Sequence, residues 1–153
     1  MALIQIGTWE FGDFLINPFR LKKLIMTELK EVLEDPKVLK VGHDVRNDSK
    51  WLQRDFDIFP VGFIDIQVMW NLCKGEEMVS LKKLMVHLYP ELQHLFHSET
   101  CSDWRLRPGK GMTRAQEAYA THDVHVALRI FDRLRGMVSS CRKKQASLLF
   151  GQS

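Results

Sequence analysis

Short apolar runs alternate along this chain with stretches in which apolar residues recur every three or four positions, the pattern of strands followed by amphipathic helices. Residues 3–7 read as a strand and residues 14–16 as its hairpin partner, with Gly12 and Asp13 in the turn. Asn17 and Pro18 then open a helix, the asparagine as N-cap and the proline in the first helical position. Leu21, Leu24, Ile25, Leu29, Val32 and Leu33 keep helical spacing until Asp35-Pro36 ends it. Residues 38–41 form a short buried-type strand, and residues 47–56 a helix with Trp51, Leu52 and Phe56 inward. Residues 63–66 make another short strand that runs into a helix ending near Gly75. Ser80 caps a helix that continues to Leu88 and stops before Pro90.

Residues 91–112 read as irregular, and a loop of that length in a compact domain is usually functional or mobile. Thr113 and Gln116 form a capping box that opens the last helix. Ala118, Leu128, Ile130, Phe131 and Leu134 supply its apolar face, Gly136 its stop, and residues 137–153 a loosely ordered tail. Strands alternating with helices after an opening hairpin define an α/β fold with a mixed sheet. No internal repeat or low-complexity segment interrupts it.

A length of 153 residues is one domain that can bury a single core, and 45% hydrophobic with 27% charged residues is ordinary for a soluble globular protein. A net charge of +3 does not by itself argue for nucleic acid. Arg105, Arg107, Lys110 and Arg114 cluster around Pro108, Gly109 and Gly111, either as a solvated loop or as a loop that contacts phosphates. Cys73, Cys101 and Cys141 are odd in number and lack metal-binding spacing, which fits reduced thiols in an intracellular protein. Nuclear and cytosolic locations are not separated by Arg142-Lys-Lys144. No apolar run is long enough to span a bilayer, and an N-terminus without a charged n-region argues against a signal peptide.

The candidate chemistry lies in two stretches. Tyr119 and Asp123 stand four apart on the last helix, so both side chains leave from one face. Asp48 follows a short strand in the first turn of a new helix. Carboxylates on two elements with a phenol beside one of them can hold divalent metal and position a water, which is phosphodiester hydrolysis chemistry. Each residue has a plainer role as well. Asp48 suits the helix macrodipole, and Tyr119 and Asp123 could be a buried phenol and a surface acid. His43 and Asp44 either line the cleft or make loop hydrogen bonds. Asp65 reads first as a helix-start residue and second as a site residue, and His122 as a core-edge or surface histidine.

Taken in order, the segments Leu3-Ile-Gln-Ile, Val41-Gly-His-Asp-Val-Arg-Asn-Asp, Ile64-Asp-Ile-Gln, Cys101-Ser-Asp-Trp and Thr113-Arg-Ala-Gln-Glu-Ala-Tyr-Ala-Thr-His-Asp resemble the tyrosine branch of the DEDD 3′–5′ exonucleases, typified by RNase D. The resemblance extends from Leu3 to about Leu134. It implies a ribonuclease H-like fold and a two-metal site for Mg²⁺ or Mn²⁺. Asp48 matches the motif II metal ligand, Asp123 the motif III ligand, and Tyr119 the phenol that orients the attacking water. The companion branch carries a histidine where this chain has Ala118.

The family's first motif, an Asp-x-Glu on the first strand, is not found before Leu3. Two carboxylates offset few of the four positive charges of two ions, and Glu10 and Asp13 belong to the hairpin. The expectation is therefore a 3′–5′ exonuclease domain lacking its central first strand and inactive or weak by itself. Its partner is the 3′ end of single-stranded RNA or DNA, with no membrane involved. A dimer or a protein partner could complete the sheet. Two alternatives remain open, a non-catalytic nucleic-acid-binding or adaptor module and a plain structural α/β domain.

Overall fold

A computed structural model describes residues 3–18, 20, 21, 23, 25–75, 79–95 and 111–150. Strand β1 (Ile4–Thr8) pairs antiparallel with β2 (Gly12–Ile16), with Ile4 opposite Ile16 and Thr8 opposite Gly12. The turn lies at residues 9–11, earlier than the pair Gly12-Asp13 expected to form it. Thr8 fixes it, because its Oγ1 donates to the Gly12 carbonyl at 3.1 Å and accepts from the Phe11 N–H at 2.8 Å. Gly12 leaves the turn with φ of 81°, where a side chain would be strained. Asp13 consequently belongs to β2.

Asn17 caps as expected, its Oδ1 accepting from the Arg20 N–H at 3.2 Å. A π-helical turn (Ile25–Leu29) and helix α1 (Lys30–Glu34) follow, and Asp35 ends them in extended conformation. The next strand is shifted from its expected place at 38–41. It is β3 (Lys40–Gly42), and Val38 and Leu39 are 37% and 54% exposed. Asp35 takes those residues out of the sheet. Its carbonyl accepts the Val38 N–H at 3.2 Å and its carboxylate the Lys37 N–H at 2.8 Å, so the chain turns before it extends.

Helix α2 (Val45–Phe56) begins two residues before the expected start. Leu52 and Phe56 face inward as expected, but Trp51 is 44% exposed, since neighbouring helical residues diverge by about a hundred degrees. Strand β4 (Phe63–Asp65) pairs parallel with β3, and Ile66, expected to end that strand, is instead the fully buried first residue of α3 (Ile66–Lys74). Gly75 at φ of 73° closes α3, and Ser80 caps α4 (Leu81–Leu88) by accepting the Lys83 N–H at 3.3 Å. Pro90–Leu95 is a 3₁₀ helix that overlaps the start of the segment 91–112 expected to be irregular, and residues 96–110 of that segment lie outside the described residues.

The last helix, α5, runs from Arg114 to Phe150. Gly136 therefore does not stop it. A single glycine costs a helix interior only about 1 kcal/mol, and no proline follows to enforce the break. One core joins Ile66 and Trp70 of α3, Leu84 and Met85 of α4, and Val126, Ile130 and Leu134 of α5. A second gathers Ile4, Leu52, Phe56 and Ile58, with Ile6, Ile16, Leu29 and Leu33 around them. The expected mixed sheet is divided among the described residues into two separate pairs, β1 with β2 and β3 with β4. Both pairs pack against α5, which thus links the hairpin to the parallel pair.

Candidate active site

The site is assembled where β3 and β4 end and their helices begin. Asp44 takes a left-handed conformation with φ of 54°, which aspartate tolerates better than most residues. Gly42 precedes it because a Cβ there would collide with the Val45 side chain. The carboxylate of Asp65 holds this turn in place. Its Oδ1 accepts the Asp44 N–H at 3.2 Å and the Gln67 N–H at 2.9 Å, and its Oδ2 accepts the Val45 N–H at 3.2 Å. One side chain thus binds the start of α2 and caps α3, which is the helix-start role its position suggested.

Asp48 projects from the first turn of α2. Its side chain reaches the surface, yet the protein around it removes enough water to raise its pKa, and the charge of Asp44 adds to that rise. On α5, Tyr119 and Asp123 are one turn apart on the same face, and the phenol hydrogen-bonds to the carboxylate. Burial pushes Asp123 up to about 6, against the opposing effects of the Tyr119 hydrogen bond and the charge of His43.

Of the two readings of His43, lining the cleft or hydrogen bonding in its loop, the second is seen. Its Nε2 lies 2.7 Å from the Val79 carbonyl, which requires that nitrogen to carry the proton and donate. Gln67 Nε2 donates to the same carbonyl at 3.2 Å, so both side chains hold the segment ahead of α4. The ring is also near enough to act electrostatically on Asp123. Gln67 closes the Ile64-Asp-Ile-Gln segment of the resemblance but was assigned no role from the sequence.

On another face of α5, His122 and Ala118 line an open cleft of about 590 Å³ together with Asp13, Arg114, Glu117, Thr121 and His125. His122 accordingly does not join the Tyr119–Asp123 pair. Of the basic cluster, exposed Arg114 sits at the start of α5, whereas Arg105, Arg107 and Lys110 lie outside the described residues.

Among the described residues no three acids, histidines or cysteines come together in a group able to hold a metal ion. The raised pKa values of Asp48 and Asp123 let a proton compete with a cation there more than at an ordinary carboxylate. These residues do not make a complete two-metal site.

A mixed α/β chain with one acid in the first turn of α2 and another on α5 beside a tyrosine fits a nuclease domain. The profile of the 3′–5′ exonuclease family matches residues 1–139, and the chain belongs to that family. It is 34% identical over 135 residues to Protein RRP6-like 2 of Arabidopsis thaliana, covering 88% of this chain and 15% of that protein. To the exosome complex exonuclease RRP6 of Saccharomyces cerevisiae it is 30% identical over 146 residues, covering 94% of this chain and 18% of the relative. The chain therefore spans less than a fifth of the length of these curated relatives. The crystal structure of Escherichia coli RNase D, an exoribonuclease involved in structured RNA processing, superimposes with a TM-score of 0.76 at 26% identity, covering 91% of this chain and 35% of that one. The ribonuclease H-like fold expected from the motif train is thereby established, within a family of divalent-metal-dependent exonucleases.

Proposed function

We propose that this chain is the motif II and motif III part of an RNA-directed 3′–5′ exonuclease site, and that it cleaves weakly or not at all by itself. The observation that supports this reading most is the Tyr119–Asp123 hydrogen bond at a carboxyl whose pKa is raised to about 6. A phenol fixed at a metal-binding acid is placed to orient a water beside a phosphodiester. Asp48 and Asp123 would each give one carboxylate to a divalent ion, Mg²⁺ or Mn²⁺ in a two-metal arrangement. His43 opposes the rise in Asp123 and helps keep it ionised for that task. With only these two acids, hard ions bind weakly.

RNA is favoured over DNA because the similar proteins include an exoribonuclease and an exosome exonuclease, which also points to a protein assembly as partner. By the same likeness we place the protein inside the cell. No helix among the described residues is long and apolar enough to cross a membrane.

The test uses the 153-residue chain with 5′-labelled single-stranded RNA and either Mg²⁺ or Mn²⁺. Little or no shortening is expected. Robust 3′ shortening that disappears in Asp123→Ala would overturn the inactivity and establish a competent site. A second reading, a binding module without cleavage, is supported by exposed Arg114 at the entrance to α5. Retained RNA binding without any turnover in either metal would favour it.

A further inference from the structure

The turn between β1 and β2 places large aromatic side chains in solvent. Trp9 is 60% exposed and Phe11 77%, although Thr8 fixes the turn with two hydrogen bonds. An ordered turn at residues 9–11 does not need these aromatics for its own stability. The Trp9 ring meets His125 edge-on, with centroids 6.1 Å apart, and His125 lines the open cleft between the hairpin and α5. Asp13 lines the same cleft, and one of its carboxylate oxygens, Oδ1, is buried against Gly7 with no hydrogen-bond partner among the described residues. Oδ1 is sealed from solvent, so the other oxygen of this half-buried carboxylate is the one open to a donor in the cleft.

We propose that this cleft is a nucleobase subsite for single-stranded nucleic acid, in which a base carrying an exocyclic amine stacks at Trp9 and donates to Asp13. The chemistry of the lining selects a base rather than a phosphate. Asp13 and Glu117 repel an anion from the interior, while Arg114 supplies a cation at the rim where the backbone would pass. The open volume of about 590 Å³ accommodates an aromatic ring. A carboxylate accepts from the amine of cytosine or adenine, whereas uracil presents carbonyl oxygens on both sides of its one N–H. Stacking on Trp9 serves any base and sets the affinity, and Asp13 sets the preference. The subsite rests on the nucleic-acid reading above but uses none of the residues assigned to hydrolysis.

Fluorescence anisotropy of the whole chain with labelled twelve-nucleotide oligocytidylate and oligouridylate, in EDTA, tests it. Wild type should bind the cytidine strand about fivefold more tightly, the ratio of one hydrogen bond. Asp13→Asn should bring the two affinities together. Trp9→Ala should weaken both strands about tenfold, with Trp9→Phe largely restoring binding. Arg114→Ala should reduce the salt slope by about one without altering base preference. Thermal melts of each variant identify loss of fold, and Trp9→Phe keeps the stacking arm readable if Trp9→Ala unfolds. Equal affinities for the two strands in wild type, or unchanged binding in folded Trp9→Ala, would overturn the subsite. Because metal is absent, failure of the hydrolytic reading leaves this result unaffected. Cleavage of RNA with no base preference would remove the cleft and keep the exonuclease.

Discussion

Asp123 shows how one side chain couples packing to chemistry. Its ordinary pKa of 3.8 is pushed up to about 6, so the folded chain holds the proton more tightly than the unfolded one. That contribution to stability is fully present below 3.8 and is lost as pH rises through about 6. Asp123→Asn cannot ionise and should escape the loss. Its melting temperature relative to wild type should therefore increase between pH 4 and pH 7, a window set by those two values. A shift of this size in a dry interior would correspond to about 3 kcal/mol, and solvent reaching the carboxyl lowers the expected difference to about 1 kcal/mol. A constant difference in melting temperature across that range would show that Asp123 is not desolvated in the fold. The same ionisation governs metal, since a protonated carboxyl is no ligand.

Among the elements, α5 is the one that most directly tests local signals against tertiary structure. Gly136 has the residue type of a helix stop, yet it lies inside a continuous helix with no atoms near the position a Cβ would occupy. Gly136→Ala should accordingly stabilise the chain by about 0.5–1 kcal/mol in chemical denaturation. Destabilisation by a comparable amount would place Gly136 in the left-handed conformation of a helix end. Residues on either side already support continuity. Ser139 and Ser140 donate to the Arg135 and Gly136 carbonyls at 3.0 Å each, and Arg135 pairs with Asp132 at 2.7 Å. The buried positions Val126, Ile130 and Leu134 recur four apart, and this seam against α3 and α4 anchors the helix that carries Tyr119 and Asp123.

For the whole molecule, the division into two-stranded sheets is the dominant feature. Strand β1 pairs only with β2 and β3 only with β4 among the described residues, so both sheets keep open edges. Two-stranded sheets are marginal unless packed, and an unpaired edge is a template for another strand. The chain is expected to self-associate at micromolar concentration, with sedimentation velocity showing dimers or larger species that grow with concentration. A monomer with one sharp cooperative melt over that range would show that packing against α5 satisfies both pairs. Completion of these edges by another strand bears on function as well, because β3 leads into α2, which carries Asp48, and packs against α5, which carries Asp123.

Local chemistry determined a large part of this protein from the sequence alone. The caps at Asn17 and Ser80, the stop at Gly75 and the one-turn spacing of Tyr119 and Asp123 depend on residues a few positions apart, and they appear as expected. Asp65 was legible for the same reason, since a helix-start acid binds nearby N–H groups. The tertiary structure decided what distant partners control. It turned Trp51 outward, began β3 after the Asp35 turn, carried α5 through Gly136 and divided the sheet into two pairs. It also brought His43 to Val79 and Asp13 to the α5 cleft, contacts between residues far apart in sequence. Turn chemistry and spacing act within a few residues and can be read directly. Which edge finds a strand and which acid loses its water depend on elements that meet only after the chain has folded.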